Sequence, residues 1–156
     1  MRRSDRLISD REELNAIIGK ADACRLAFAV AAEPYLVTLN FGFEWLGALP
    51  ILYFHCARQG RKLDMMRANP RVCFELDIDH ELVKEEKFCD WGMRFASVVG
   101  YGILDEVPDD AGKRRGLDII LRHYGGESQG RFAEGLFGAT TLLRLRVDEL
   151  TGKRKA

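Results

Sequence analysis

Residues 53–70 read YFHCARQGRKLDMMRANP. Within that stretch the apolar period switches from that of a strand to that of a helix. Residues 51–56 (ILYFHC) close an apolar strand, Gly60 sits in a turn, and Arg61 and Lys62 open a short helix whose Leu63, Met66 and Arg67 share a face. Asn69-Pro70 ends that helix, because the residue before proline avoids the helical region. A helix N-terminus carries unpaired N–H groups and a partial positive charge, so it attracts anions. Two cations there conflict with that charge unless an anion joins them. The pair is therefore either a phosphate site, with Arg61 as bidentate grip and Lys62 as point charge, or a solvated basic pair.

Upstream, Ser9 and Asp10 followed by Glu12 and Glu13 form a capping-box pattern, and Leu14, Ile17, Ile18 and Ala21 give a short amphipathic helix over about 10–21. Residues 25–31 (RLAFAVA) read as an apolar strand. Residues 35–43 (YLVTLNFGF) alternate, with Tyr35, Val37, Leu39 and Phe41 on one face. Residues 45–50 read as a turn. Downstream, residues 71–79 (RVCFELDID) and 93–107 (MRFASVVGYGILDEV) are strands separated by a charged, irregular stretch. Gly100 and Gly102 share one strand face, where a bend, bulge or close neighbour is expected. Pro108-Asp109-Asp110 starts a helix that Gly125-Gly126 stops, residues 129–138 form a short helix or loop, and residues 140–150 are the last strand. Six strands with hairpin connections at the start predict a mainly β, α+β arrangement: an antiparallel barrel or strongly curled sheet with flanking helices.

At 156 residues the chain fits one domain, 1–156, with its barrel over about 25–150. Its 47% hydrophobic and 31% charged content excludes a disordered polymer. The 24 basic and 24 acidic residues cancel, which argues against a dedicated nucleic-acid binder. No apolar run reaches the roughly 18 residues of a membrane span, and the basic N-terminus lacks the apolar core of a signal peptide, so the expected location is the cytoplasm. Cys24, Cys56, Cys73 and Cys89 include no C-x-x-C pair and read as reduced thiols, mostly in strands. His55, His80 and His123 lack metal-ligand spacing, and no metal is expected.

Chemistry could come from few residues. Thr38 and Asn40 flank Leu39 on the polar face of their strand, either as plain exterior positions or as groups offered to a flat heterocycle. His55 stands among aromatic neighbours and reads as a proton donor, a ligand contact or a half-buried structural residue. Ser97 lacks a G-x-S-x-G context, and Gly100-Tyr101-Gly102 lies inside a strand rather than between strand and helix, so neither a hydrolase elbow nor a dinucleotide fingerprint is present.

The order of these segments resembles the FMN-binding split barrels related to pyridoxamine 5'-phosphate oxidase, and within them the nitroimidazole-resistance (Nim) group. The matching pieces are RLAFAV, PYLVTLNFGF, LYFHCARQGRKLDMMRANPRVCFELD, RFASVVGYG, KRRGLDIILRHYGG and VDELTGKR, covering most of residues 25–154. The resemblance implies a six-stranded split β-barrel and a homodimer with FMN between the subunits. It implies that the phosphate meets Arg61 and Lys62, and that the ring runs along Thr38, Leu39 and Asn40 and along Phe54, His55, Cys56 and Ala57. It further implies that Ser97 approaches the cofactor and that His55 contacts substrate. The chain departs from many Nim-like sequences in having Thr38 in place of proline, and in a bulkier following loop with Phe43 and Trp45.

The function implied is an FMN-dependent oxidoreductase, nitroreductase-like, passing electrons from a nicotinamide donor to a small acceptor such as a nitroimidazole. The alternative is a non-catalytic module of the same fold that holds flavin, a deazaflavin or haem. A pyridoxamine-phosphate oxidase ranks last, since no second phosphate site stands out and the chain is short for that enzyme.

Overall fold

The computed structural model describes residues 4–127 and 131–155. After a 3-10 turn at Ser4–Arg6, the elements run β1 (Leu7–Ile8), α1 (Arg11–Lys20), β2 (Cys24–Val30), β3 (Glu33–Leu39), β4 (Phe41–Leu46), β5 (Leu49–Ala57), α2 (Arg61–Ala68), β6 (Arg71–Val83), β7 (Gly92–Glu106), α3 (Asp110–His123), α4 (Glu134–Ala139) and β8 (Thr140–Lys155). All strand pairs are antiparallel. They form an eight-stranded sheet in the order β3-β2-β6-β7-β8-β5-β4, with β1 on β8.

This is the split barrel the resemblance implies, with eight strands in place of the expected six. The two-residue β1 is one addition. The other comes from residues 35–43, which are two strands and not one. β3 pairs with β2, whereas β4 pairs with β5 at the opposite end of the sheet. Asn40 alone joins them. A single residue spans at most about 3.6 Å, so the two ends of the sheet must meet there. The sheet is thus curled nearly into a barrel yet not closed. Residues 45–50 are likewise mostly strand, with the turn confined to Gly47-Ala48 between β4 and β5.

Alternation along the strands fills the interior. Leu26, Phe28, Phe41, Leu52, Phe54, Phe74, Leu76, Leu104, Leu143 and Leu145 face inward and are buried. From α1, Leu14, Ile17 and Ile18 enter the same core, as do Leu63, Met65 and Met66 from α2. The cap of α1 is as expected: the Asp10 side chain accepts from the Glu13 N–H at 2.9 Å. α3 lies outside the barrel on β4 and β5, over a small second core of Tyr53, Ile120 and Leu142.

The paired glycines of β7 behave as expected. A Cβ at Gly100 would come within 2.6 Å of the Phe74 ring and the Glu149 carbonyl, and the register against β8 shifts between Tyr101 and Gly102. The charged stretch after residue 79 is more regular than expected, since β6 continues to Val83 past an irregularity between Ile78 and Glu81. All four cysteines are free: Cys24 and Cys56 buried, Cys73 half-buried, and Cys89 exposed in the short 3-10 turn Phe88–Asp90 rather than in a strand. The expected element at 129–138 is α4, its first two positions lying outside the described residues. Among the described residues, no helix is long and apolar enough to cross a membrane.

Candidate functional site

The opening of the barrel is a gap with two rails. One rail is β3, which has β2 on one side and, among the described residues, no strand on the other. The second rail is the end of β5. Phe54 still pairs with Phe41, but His55, Cys56 and Ala57 lie beyond the last β4 residue and pair only with Leu142, Thr141 and Thr140 of β8. Unpaired strand edges carry backbone N–H and C=O groups that seek partners. The gap is therefore lined by backbone donors and acceptors from residues 33–39 and 55–57.

Each end of the gap is fixed. At one end, Asn40 carries the chain from rail to rail. The Phe41 N–H donates to the Tyr124 hydroxyl at 3.1 Å, and that hydroxyl donates to the Asp22 carbonyl at 2.7 Å. The His123 ring lies 4.3 Å from the Phe41 ring and its Nε2 is 2.8 Å from the Ala21 carbonyl. His123, given no role from sequence, thus ties the end of α3 to the corner. Only its tertiary neighbours reveal this.

At the other end stands the N-terminus of α2. Its cap is Gly60, at φ 141°, with no side-chain capping bond. A glycine suits that backbone conformation and leaves the first helical N–H groups open. The Arg61 guanidinium reaches across to the β3 rail, 4.8 Å from the Tyr35 ring centre and in an ion pair with Glu33. Asn69 fixes the far end of α2: its amide donates to the Ala29 carbonyl at 3.0 Å while its oxygen accepts from the Arg71 N–H at 3.1 Å. The Asn-Pro pair thus anchors the helix to β2 as well as ending it.

The residues singled out from sequence divide by face. Thr38, Asn40, His55, Ala57 and Arg61 are exposed, and Leu39 and Lys62 half-buried, around the gap. Phe54 and Cys56 point into the core, at 0% and 8% exposure, so Cys56 can offer the gap only backbone. Burial pushes the Cys56 thiol up, partly offset by the positive charge of Lys62. Ser97 is not brought to the gap of its own chain. It sits on β7 opposite Asp77 and Lys153, three strand spacings from β3, or about 14 Å across the sheet. Phe43 and Trp45 do not form a loop over the gap. They belong to β4 and pack against the core, with the Trp45 indole donating to Asn15 at 2.8 Å.

Two cavities adjoin the β5 end. A polar cleft of 570 Å³ lies between Arg58, Arg67 and the start of α3. Its cations are engaged: Arg67 with Glu106 at 2.8 Å, Arg58 with the Gly138 carbonyl at 3.4 Å, and Lys113 with the Phe137 carbonyl. The His55 side chain faces the other cavity, an apolar groove of 330 Å³ under α3 and α4.

The profile described as pyridoxamine 5'-phosphate oxidase matches residues 10–154. No curated protein matches the sequence. Among solved structures, a candidate 5-nitroimidazole antibiotic resistance protein from Bacteroides thetaiotaomicron superposes with a TM-score of 0.81 at 32% identity, over 95% of this chain and 86% of that one. An FAD and haem binding protein from Mycobacterium smegmatis shares the fold (TM-score 0.82, 18% identity, 96% of this chain and 73% of that one). So does an FAD-binding protein from Mesorhizobium loti (TM-score 0.65, 24% identity, 97% and 98%). The profile spans nearly the whole curled sheet together with the helix that carries Arg61 and Lys62, and the chain belongs to the pyridoxamine 5'-phosphate oxidase family.

Proposed function

We propose that the chain binds FMN in the gap between β3 and the end of β5, and that it is an FMN-dependent oxidoreductase acting on a small acceptor such as a nitroimidazole. The observation that carries this reading is the pairing of an elongated seam of open backbone edges with an uncapped helix N-terminus bearing Arg61 and Lys62 at one end. The ring would lie along residues 38–40 and 55–57, held by backbone groups. The phosphate would meet the first N–H groups of α2, Arg61 and Lys62. Such a phosphate also removes the conflict between two cations and the positive end of the helix.

The flavin supplies two-electron transfer between a donor, here a reduced nicotinamide, and the acceptor. The chain's own residues bind and orient. Backbone N–H groups on the two rails fix the ring plane, and the His55 imidazole, beside the seam and facing the apolar groove, can donate to or accept from a substrate placed there. The seam is open to solvent at Thr38, Asn40, Ala57 and Arg61, so a second wall is needed to exclude water. A homodimer provides it, and Ser97, remote from its own gap, would serve that of the second copy. Free thiols at all four cysteines suit the cytoplasm.

An absorption spectrum of the freshly purified protein, with mass identification of what heat releases, tests the cofactor. A two-band flavin spectrum with FMN released supports the reading, and a Soret band would point to haem instead. Anaerobic bleaching of the flavin bands by NADH or NADPH, reversed by a nitroimidazole, would establish turnover. A colourless protein that ignores added FMN would end the proposal.

A further inference from the structure

The groove beside His55 has a chemistry of its own. Its 330 Å³ is at the small end of ligand pockets, enough for one or two rings. Leu117, Ile120 and Leu121 of α3 form one wall, and Phe132 and Leu136 contribute to the other. Among the described residues, the groove is bordered by no carboxylate. Of the described residues, three with polar side-chain atoms line it: Thr140, His55 and Arg131. The Thr140 hydroxyl is engaged, donating to the Leu136 carbonyl at 2.8 Å. His55 and Arg131 have no hydrogen-bond or ionic partner among the described residues.

Two consequences follow from elementary chemistry. The apolar walls favour a flat ring over water, through removal of apolar surface from solvent. Arg131 carries a permanent charge with a planar fork of donors, which matches a carboxylate bidentately. A neutral ring would leave that guanidinium unused, and a cation would be repelled by it. Arg58, Arg67, Lys113 and Arg114, by contrast, all have internal partners in an ion pair, a hydrogen bond or an aromatic ring.

We infer that the groove binds an aromatic carboxylate of one or two rings, its ring against α3 and its carboxylate on Arg131 beside His55. As a statement about substrate class this rests on the flavin reading above, because His55 borders both seam and groove. As a statement about binding it does not.

The test is calorimetric titration of the full chain, as purified and after flavin removal, with 1-naphthoate and with the uncharged isostere 1-naphthamide, at low ionic strength where an exposed charge is least screened. Naphthoate is expected to bind about tenfold more tightly, as one charge-assisted contact would give. R131Q should bring naphthoate down to the level of naphthamide and leave naphthamide unchanged. L121W, which fills the groove from an exposed position of α3, should weaken both probes. Equal affinity for the two probes in the native chain, a preference for naphthoate that survives R131Q, or no binding of either would overturn the inference. Naphthoate binding by protein that never takes up FMN would keep the groove and remove the flavin reading. FMN uptake without naphthoate binding would do the reverse.

Discussion

The two halves of the sheet are built differently. β6, β7 and β8 are long; β7 is paired on both sides over most of its length, and β6 and β8 each pair with it along most of theirs. β3 and the end of β5 each have an open edge facing the seam. In the first half, backbone groups are spent on one another and side chains alternate cleanly between core and solvent. In the second, backbone groups remain available, with Asn40 joining the rails at one end and the exposed Arg61–Glu33 ion pair crossing between them at the other. The closed half carries stability, and the open half gives up pairing and leaves backbone groups exposed along the seam.

The largest effect expected from this contrast is on the closed side. Phe74 is fully buried, with its ring against Gly100. Phe74→Ala should cost about 3–5 kcal/mol in chemical denaturation, since no neighbouring side chain can collapse into the space from a glycine. FMN bound per folded molecule should stay within about a factor of two of the native value, as expected for distant sites whose effects add. Loss of FMN at full folding would show that the two halves are coupled and break the contrast.

Next in size is Arg61→Ala on the open side. Removing a charge-assisted phosphate contact worth about 1.5–3 kcal/mol should raise the FMN dissociation constant by roughly 10- to 100-fold. Stability should change by no more than about 0.5 kcal/mol, because the side chain is 54% exposed and its partner Glu33 is 68% exposed. Equilibrium dialysis and urea unfolding on the same preparation separate the two readouts. Unchanged FMN retention would count against the phosphate assignment.

The contrast also explains what could be read from sequence. The strands of the closed half were legible because alternation of Val72, Phe74, Leu76 and Ile78 with polar neighbours specifies a face. The helix behind Arg61 was legible because a glycine turn, a change of period and Asn-Pro punctuate it. The break at Asn40 was not legible. Tyr35, Val37, Leu39 and Phe41 keep the same inward face straight through it, while the pairing partner changes from β2 to β5. Alternation encodes which face a residue takes, not which strand lies alongside. The continuation of β6 to Val83 was hidden by Asp79, His80 and Glu81, which are charged or polar because that end of the hairpin extends into solvent. Of the candidate site, Arg61 and Lys62 could be read from local pattern, whereas His55 stood open among three readings and its role came from the resemblance. The groove required α3 and α4 to be placed, and α4 is a six-residue helix with two glycines and little signal of its own.

His55→Ala sharpens the contrast within the open half. The side chain lines the groove while its backbone borders the seam, so truncation should leave the FMN dissociation constant within about twofold. Steady-state kcat/KM for an acceptor seated in the groove should fall about tenfold or more, the low end of losses on removing a positioned acid, base or orienting group. If the variant instead loses FMN, the imidazole is part of the seam and the division between backbone rails and side-chain groove is wrong.

The smallest and most diagnostic change concerns Glu33. Its carboxylate already occupies Arg61 from the β3 rail, while the Tyr35 ring lies 4.8 Å from the same guanidinium. A phosphate at the α2 N-terminus must share or displace that carboxylate. The exchange is close to balanced, because an exposed ion pair is worth only about 0.2–1 kcal/mol. Glu33→Gln removes the competing charge and keeps the shape, so FMN should bind about two- to fivefold more tightly. The gain should shrink as salt is raised, since both anions are screened together. Weaker FMN binding by this variant would mean that Glu33 orients Arg61 for the phosphate rather than competing with it. Arg61 would then act as a positioned fork, and Glu33→Asp, which keeps the charge on a shorter stem, would recover part of the loss.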